Sequence, residues 1–291
     1  MPITYTPFRY PGGKSKIFPL VHDIIADSGL TGCTYAEAFC GGAGLAIKLL
    51  LKGDVNEVIL NDIDPSVFSM WDMVLHHSEE LIDFIKVVPL TISEWDHQHD
   101  IFSTEKVPTQ YLGKAAFYLN RTNRSGILAA GPIGGREQDG EYGINARFNR
   151  TGLINKILAI SKYSSHIRLY NLDARLFIEQ VLNAAETPQN IFANFDPPYV
   201  QKGPKLYENS LVESDHREIA TAIAQCKCKW MVTYDSNPLV TELYADFDRY
   251  KLDIEYSAYD KRSAVEILAA GPDVVVSQLQ RDDSCEVAEP Y

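Results

Sequence analysis

Short apolar runs of strand length alternate along the chain with stretches in which apolar residues recur every three or four positions. Thr34-Tyr-Ala-Glu-Ala-Phe39 reads as a short buried strand. It runs into Cys40-Gly-Gly-Ala-Gly44 and then an apolar-rich helix from Leu45 to Leu51. Glu57-Val-Ile-Leu-Asn-Asp62 is a second strand that ends in an acid. Pro65 suits the first turn of a helix, and Val67, Met70, Trp71 and Val74 follow at helical spacing. Ile167 to Asn171 is a third strand with a helix from Ala174 to Leu182, and Asn190 to Phe195 a fourth. A helix from His216 to Gln225 and a fifth strand from Trp230 to Tyr234 complete the alternation. Strands that alternate with helices predict an α/β fold whose parallel sheet is covered on both faces.

One block breaks the rhythm. Residues 76 to 162 read as mostly helical, with a Gly-rich interruption from Gly126 to Gly143, and lie between the second and third strands. This predicts an inserted domain, 76–162, in a body formed by 1–75 and 163–271. Gly131 to Gly143 is expected to form a hairpin or a flexible finger. Residues 272–291 end in Asp282-Asp283-Ser-Cys-Glu286 and Glu289, an acidic tail.

Charge adds to this picture through its distribution. The net charge of −12 argues at first against a polyanionic partner. From Lys114 to Arg168, however, nine basic residues face three acids, a local charge of +6 inside the insert and its border. A basic segment in an acidic chain is the footprint of a polyanion-binding surface; the acidic remainder leaves room for a protein partner. The five cysteines, Cys33, Cys40, Cys226, Cys228 and Cys285, are odd in number, and Cys226-Lys-Cys228 has one spacer rather than the two of a zinc knuckle. Reduced thiols in a cytoplasmic protein, with no metal site, are expected. No apolar run approaches the roughly 18 residues of a membrane span, and the N-terminus has no basic start followed by an apolar core.

In an open α/β sheet, ligands bind beyond the carboxyl ends of the strands. A Gly-rich turn after the first strand lets backbone approach a ligand closely. Asp62 lies about 20 residues beyond Gly41, where a carboxylate can accept both hydroxyls of a ribose. The spacing is neither G-x-G-x-x-G nor a P-loop. Arg9-Tyr-Pro-Gly-Gly-Lys14 forms a second Gly-rich turn, in which Lys14 offers an ammonium to a carboxylate and Tyr10 an aromatic face.

Asp196-Pro197-Pro198-Tyr199 follows the fourth strand. Two prolines remove two backbone donors and stiffen the turn, while their carbonyls stay free to accept. A carboxylate, carbonyls and an aromatic ring on one rigid turn suit an amino group carried by a planar ring. Asp196 and the Pro197 carbonyl can accept its two hydrogens, and Tyr199 can stack on the ring. The polar stretch from Val200 to Glu213, with Tyr207, is long enough for a lid over the site.

This tetrapeptide with its strand resembles motif IV of amino-methyltransferases. The order Pro11-Gly-Gly-Lys14, Phe39-x-Gly41, Asn61-Asp-Ile63, an insert, then Asp196-Pro-Pro-Tyr199 resembles the Dam-type (D12) class of DNA adenine-N6 methyltransferases. Tyr118-Leu-Asn-Arg121, Arg147-Phe-Asn149, Asp215-His216 and Thr233-Tyr-Asp-Ser236 are similar to that class as well, so the likeness extends over residues 7 to 268. The chain departs at the Phe-x-Gly-x-Gly turn, where Ala43 replaces the second glycine and Gly44 follows.

The resemblance implies a Rossmann-like S-adenosylmethionine-dependent methyltransferase sheet with an inserted, mainly helical target-recognition domain. It implies that Tyr10, Lys14, Phe39, Gly41, Asp62, Asp173 and Asp196 line the S-adenosylmethionine site, with Lys14 at the methionine end and Asp173 at the adenine amino group. Asp196, Pro197, Pro198 and Tyr199 would carry catalysis on a flipped adenine in double-stranded DNA. Asn120, Arg121, Asn123, Arg124 and Arg136 would contact DNA, on base edges or phosphates. Cytosine-N4 methylation is the neighbouring chemistry, and Asp rather than Ser at 196 favours adenine. A non-catalytic DNA-binding subunit of the same fold is the alternative class; it would lose Lys14, Asp62, Asp196 or Tyr199, and all four are present.

Overall fold

The computed structural model describes residues 4–10, 14–200, 211–256 and 262–282. The Pro11–Gly13 turn, Tyr207 with most of the expected lid, and the acidic end of the tail lie outside the described residues. The strands are β1 (Thr34–Glu37), β2 (Glu57–Asn61), β3 (Ile167–Tyr170), β4 (Ile191–Phe195), β5 (Lys229–Asp235), β6 (Asp248–Tyr256) and β7 (Arg262–Ala270). They form a seven-stranded sheet in the order β3-β2-β1-β4-β5-β7-β6. β2 pairs with β3, and β4 with β1 and β5, all in parallel. β7 runs antiparallel to β5 and β6.

All five strands read from the sequence are present, and β6 and β7 add two. The signal for β6 lay in the chain: Tyr250, Leu252, Ile254 and Tyr256 alternate with charged residues. That period-2 pattern is the mark of a strand with one wet face. β4 is buried at every position, as a central parallel strand covered on both faces must be.

The helices are α1 (Phe18–Asp27), α2 (Gly44–Lys52), α3 (Pro65–His76), α4 (Ser78–Val87), α5 (Ile92–Ser103), α6 (Thr109–Thr122), α7 (Arg150–Ser161) and α8 (Ala174–Phe177). α8 continues as a π-turn over Ile178–Leu182. α9 (Glu213–Ala224) and α10 (Pro238–Leu243) follow. α1, which follows a 3-10 turn at Lys14–Ile17, was not read from the sequence. Caps fix several starts: the Asp64 carboxylate accepts the Ser66 N–H at 2.7 Å beside Pro65, and Asn149 accepts the Gly152 N–H at 3.1 Å.

The chain divides into two compact units. The first comprises Met1–Ser15, Cys40–Lys52 and Val58–Asn171. Within it α3 packs on α6 and α7, and α5 on α6. Phe8 meets the Trp71 ring edge-on at 4.8 Å and the Phe117 ring at 6.0 Å. The second unit comprises Lys16–Phe39, Gly53–Glu57 and Leu172–Tyr291. Its aromatic core gathers Trp230, Tyr234, Tyr244 and Phe247, with Trp230 and Phe247 4.9 Å apart.

Among the described residues, the Gly-rich segment 131–143 forms successive turns in place of a hairpin ladder. A single bridge, Asn123 to Pro132, is its one pairing among the described residues. Gln138 braces the turns: its Nε2 donates to the carbonyls of Ile133 (2.8 Å) and Gly135 (2.6 Å), and its Oε1 accepts the Ile144 N–H (2.8 Å). A side-chain amide thus satisfies backbone groups that a ladder would otherwise pair.

The α3–α6 contact depends on one glycine. A Cβ on Gly113 would stand 2.4 Å from the Ser69 carbonyl oxygen and 2.6 Å from Met73 Cγ. Helix propensity favours alanine over glycine by about 1 kcal/mol, whereas overpacking costs about 1–3 kcal/mol. Gly113→Ala is therefore expected to lower unfolding free energy in urea denaturation, and a stabilised variant would refute this packing.

Candidate active site

In the first unit the glycine turn and the acid of β2 are tied together. The Asp62 carboxylate accepts the Gly41 N–H at 2.9 Å through Oδ2 and the Asp64 N–H at 3.0 Å through Oδ1. Trp71, on α3, donates its indole N–H to the Gly41 carbonyl at 2.8 Å. Gly41 adopts φ +44°, and a Cβ there would fall 2.6 Å from the Tyr10 ring. One on Gly42 would fall 2.9 Å from Tyr10 Cβ. Glycine is therefore required at 41 both for its left-handed backbone and for the closeness of the ring. Ala43, where the family pattern has glycine, also has positive φ, +42°. The turn conformation persists at that residue with some strain in place of glycine's freedom.

Burial dominates the chemistry of Asp62. Desolvation raises its pKa to about 7, against the two N–H donors that favour the charged form. A half-satisfied buried carboxylate with a lone pair left on each oxygen calls for further donors, and a vicinal diol supplies two. Lys14 is buried at the start of its 3-10 turn. Tyr10 is half-buried. The residues present fit a nucleoside-bearing ligand.

In the second unit Asp196 leaves the end of β4 and accepts the Thr233 hydroxyl at 3.0 Å. Tyr199 donates its hydroxyl to Glu266 of β7. The Val200 N–H donates to Asp235 of β5 at 3.2 Å. Thr233, Asp235 and Glu266 are all buried. Phe39 is half-buried after β1. Asp173 caps α8 by accepting the Arg175 N–H at 2.9 Å, and it also pairs with the Arg175 guanidinium at 2.8 and 3.0 Å. That guanidinium lowers the Asp173 pKa, so its carboxylate is already well supplied with donors. The local order Asp-x-Arg could have signalled this pairing.

The five candidate DNA residues sort by exposure. Asn120 is 1% exposed; it accepts the Arg9 N–H at 2.9 Å and donates to the carbonyls of Arg9 and Gly126. Asn123 is fully buried; it accepts the Trp95 indole N–H at 2.6 Å and donates to the carbonyls of Ile127 and Leu128. Arg121 reaches the carbonyls of Arg147 and Pro7, and burial with Arg9 and Arg147 nearby lowers its pKa to about 9. Arg136 makes a two-pronged pair with Asp96 at 2.8 and 2.9 Å. The Arg124 side chain is exposed and has no hydrogen-bond or ion-pair partner among the described residues.

Sequence reading missed Trp71 as a ligand of the glycine turn, since indole N–H donation leaves no periodic trace. It also missed Glu266, whose strand was not identified. Among the described residues no helix is long and apolar enough to cross a membrane, and no group of three or more His, Cys, Asp or Glu is arranged to hold a metal ion.

Among solved structures, the chain is similar to an rRNA methyltransferase, AviRa, of Streptomyces viridochromogenes: 14% identity over 91% of this chain and 88% of that one, TM-score 0.35. It is similar also to a protein of Pyrococcus horikoshii described as a candidate RNA methyltransferase: 9% identity, 90% and 84% coverage, TM-score 0.41. Scores this low decide nothing about the present chain. No curated protein matches it in sequence. The profile of the D12 class N6 adenine-specific DNA methyltransferase family matches residues 10–257, which include the glycine turn, Asp62, residues 76–162 and Asp196-Pro-Pro-Tyr199. The match sets adenine N6 above cytosine N4, and catalysis above a silent binding subunit: the chain belongs to the D12 class of N6 adenine-specific DNA methyltransferases.

Proposed function

We propose that the methyl donor is S-adenosylmethionine, that Asp62 holds its ribose hydroxyls, and that Asp196 receives the amino group of an adenine flipped out of duplex DNA. The observation that carries this reading is Asp196 itself. Its carboxylate stands on a proline-stiffened turn at a strand end, is oriented by Thr233, and has an aromatic ring three residues away. Bound at the Gly41–Asp62 turn, the donor supplies an electrophilic sulfonium methyl. Asp196 and the Pro197 carbonyl accept the adenine amino hydrogens and orient the nitrogen lone pair for methyl transfer. Methyl transfer would leave the donor as a neutral thioether, and the methylated nitrogen would release its surplus amino proton to solvent. Alignment of the two reactants is the main contribution asked of the side chains. Tyr10 and Lys14 line the donor's other faces in this reading, and Tyr199 stacks on the target base.

Residues 76–162 are assigned to target recognition on a catalytic body of 1–75 and 163–271. The basic excess of the insert supports this. Of the five candidates, Arg124 has the side chain most available to a phosphate, whereas Asn120, Asn123 and Arg121 shape the segment that presents it.

Three outcomes follow. Asp196→Ala abolishes tritiated-methyl transfer to DNA while the chain stays folded; full transfer by that variant would discard the mechanism. Arg124→Ala weakens DNA binding and reduces the slope of log affinity against log salt by about 1; an unchanged slope in fluorescence anisotropy removes Arg124 from the interface. Asp62 makes donor affinity pH-dependent. The folded carboxylate titrates near 7, raised from 3.8. Its stabilisation of the fold is complete below 3.8 and is lost as pH rises through about 7. Diol donors favour the charged form, so donor affinity strengthens as pH rises toward 7 and binding below it releases a proton. Calorimetry in buffers of different ionisation enthalpy should detect that proton and lose it in Asp62→Asn. A pH-independent wild-type affinity would contradict the assignment.

A further inference from the structure

β5 and β7 hold the catalytic turn from one face of the sheet. Asp235 and Glu266 are register partners in the antiparallel pair, so their side chains leave the same face. Thr233, two residues before Asp235, shares that face. The three side chains hold Asp196, Tyr199 and Val200: Thr233 donates to Asp196, Asp235 accepts the Val200 N–H, and Glu266 accepts the Tyr199 hydroxyl. Two of the three are carboxylates, at 8% and 1% exposure, and they sit side by side. Burial of two neighbouring acids is unfavourable unless both are satisfied. A fold that needed only packing at these positions would be served better by apolar side chains.

We propose that Glu266 is a positioning residue for adenine methylation. It tethers the far end of the Tyr199 ring while Asp235 holds the next residue's backbone, and the two together set the tilt of the ring that meets the target base. Tyr199 follows two prolines that fix the backbone but leave its own χ1 and χ2 free. A hydrogen bond at the phenolic oxygen removes that freedom, and Glu266 provides it from a paired strand rather than a loop. This rests on the reading that Tyr199 stacks on the target adenine.

The test uses the full-length enzyme and a duplex bearing the methylation site identified by modified-base sequencing from a methylation-free host. Glu266→Leu removes the acceptor at similar volume, Glu266→Gln retains one, and Tyr199→Phe keeps the ring without its hydroxyl. Glu266→Leu and Tyr199→Phe are each expected to lower kcat by about ten- to a hundred-fold with S-adenosylmethionine affinity unchanged. Glu266→Gln should recover most of that loss. The Glu266→Leu/Tyr199→Phe double variant should be no slower than the slower single variant, because both remove one interaction. A 2-aminopurine in the target position should be less quenched in Glu266→Leu than in wild type. Multiplicative losses, or wild-type kcat in Tyr199→Phe, overturn the proposal; the latter decides the matter even if Glu266→Leu fails to fold. Tyr199→Ala separates the two layers. If it transfers methyl at the wild-type rate, the stacking reading itself fails. If it is impaired while Tyr199→Phe and Glu266→Leu are not, only the tether fails.

Discussion

A single buried carboxylate holds three elements of the first unit in register. Asp62 directly follows β2, and its oxygens accept N–H groups from the glycine turn at Gly41 and from Asp64. Asp64 in turn caps α3, and α3 returns Trp71 to the carbonyl of the same Gly41. Strand end, turn and helix thus form a closed circuit of four hydrogen bonds. Each member constrains the next: if the Gly41 backbone leaves φ +44°, both its N–H and its C=O lose their partners. The circuit carries a burial cost, visible in the raised Asp62 pKa, and that unspent acceptor capacity is what the proposed donor site would draw on.

The second unit solves a related problem with strands. A Pro-Pro turn cannot brace itself through backbone N–H donors, so its flanks are held from outside. Thr233, Asp235 and Glu266 do this from two paired strands whose spacing is set by the β5–β7 ladder. Placing the holders on the sheet gives them little freedom, and the Asp196–Tyr199 turn inherits that rigidity.

The basic segment from Lys114 to Arg168 shows why local charge and available charge differ. Its basic residues are numerous, yet Arg121 is consumed by the carbonyls of Arg147 and Pro7, and Arg136 by Asp96. Burial, with Arg147 nearby, lowers the pKa of Arg9, and burial with Arg9 and Arg147 nearby lowers that of Arg121, so part of the positive charge is held inside at a cost. What is left to meet a polyanion is a smaller set, with Arg124 foremost among the residues first considered.

The sequence by itself determined the α/β alternation, the five parallel strands, the glycine turn with its acid, and the Asp-Pro-Pro-Tyr turn, together with family membership. These features are local: periodicity, proline and glycine act over a few residues, and motif order survives without knowledge of contacts. β6 was also legible in its alternation, though it was overlooked. Tertiary structure decided the rest. That Asn120 and Asn123 face inward, that Trp71 ligates a turn thirty positions earlier, and that Glu266 meets Tyr199 all depend on which distant groups share a small volume. Polar side chains of the same type serve equally well as buried braces or as surface contacts, and only the desolvation around each one, set by packing, determines which.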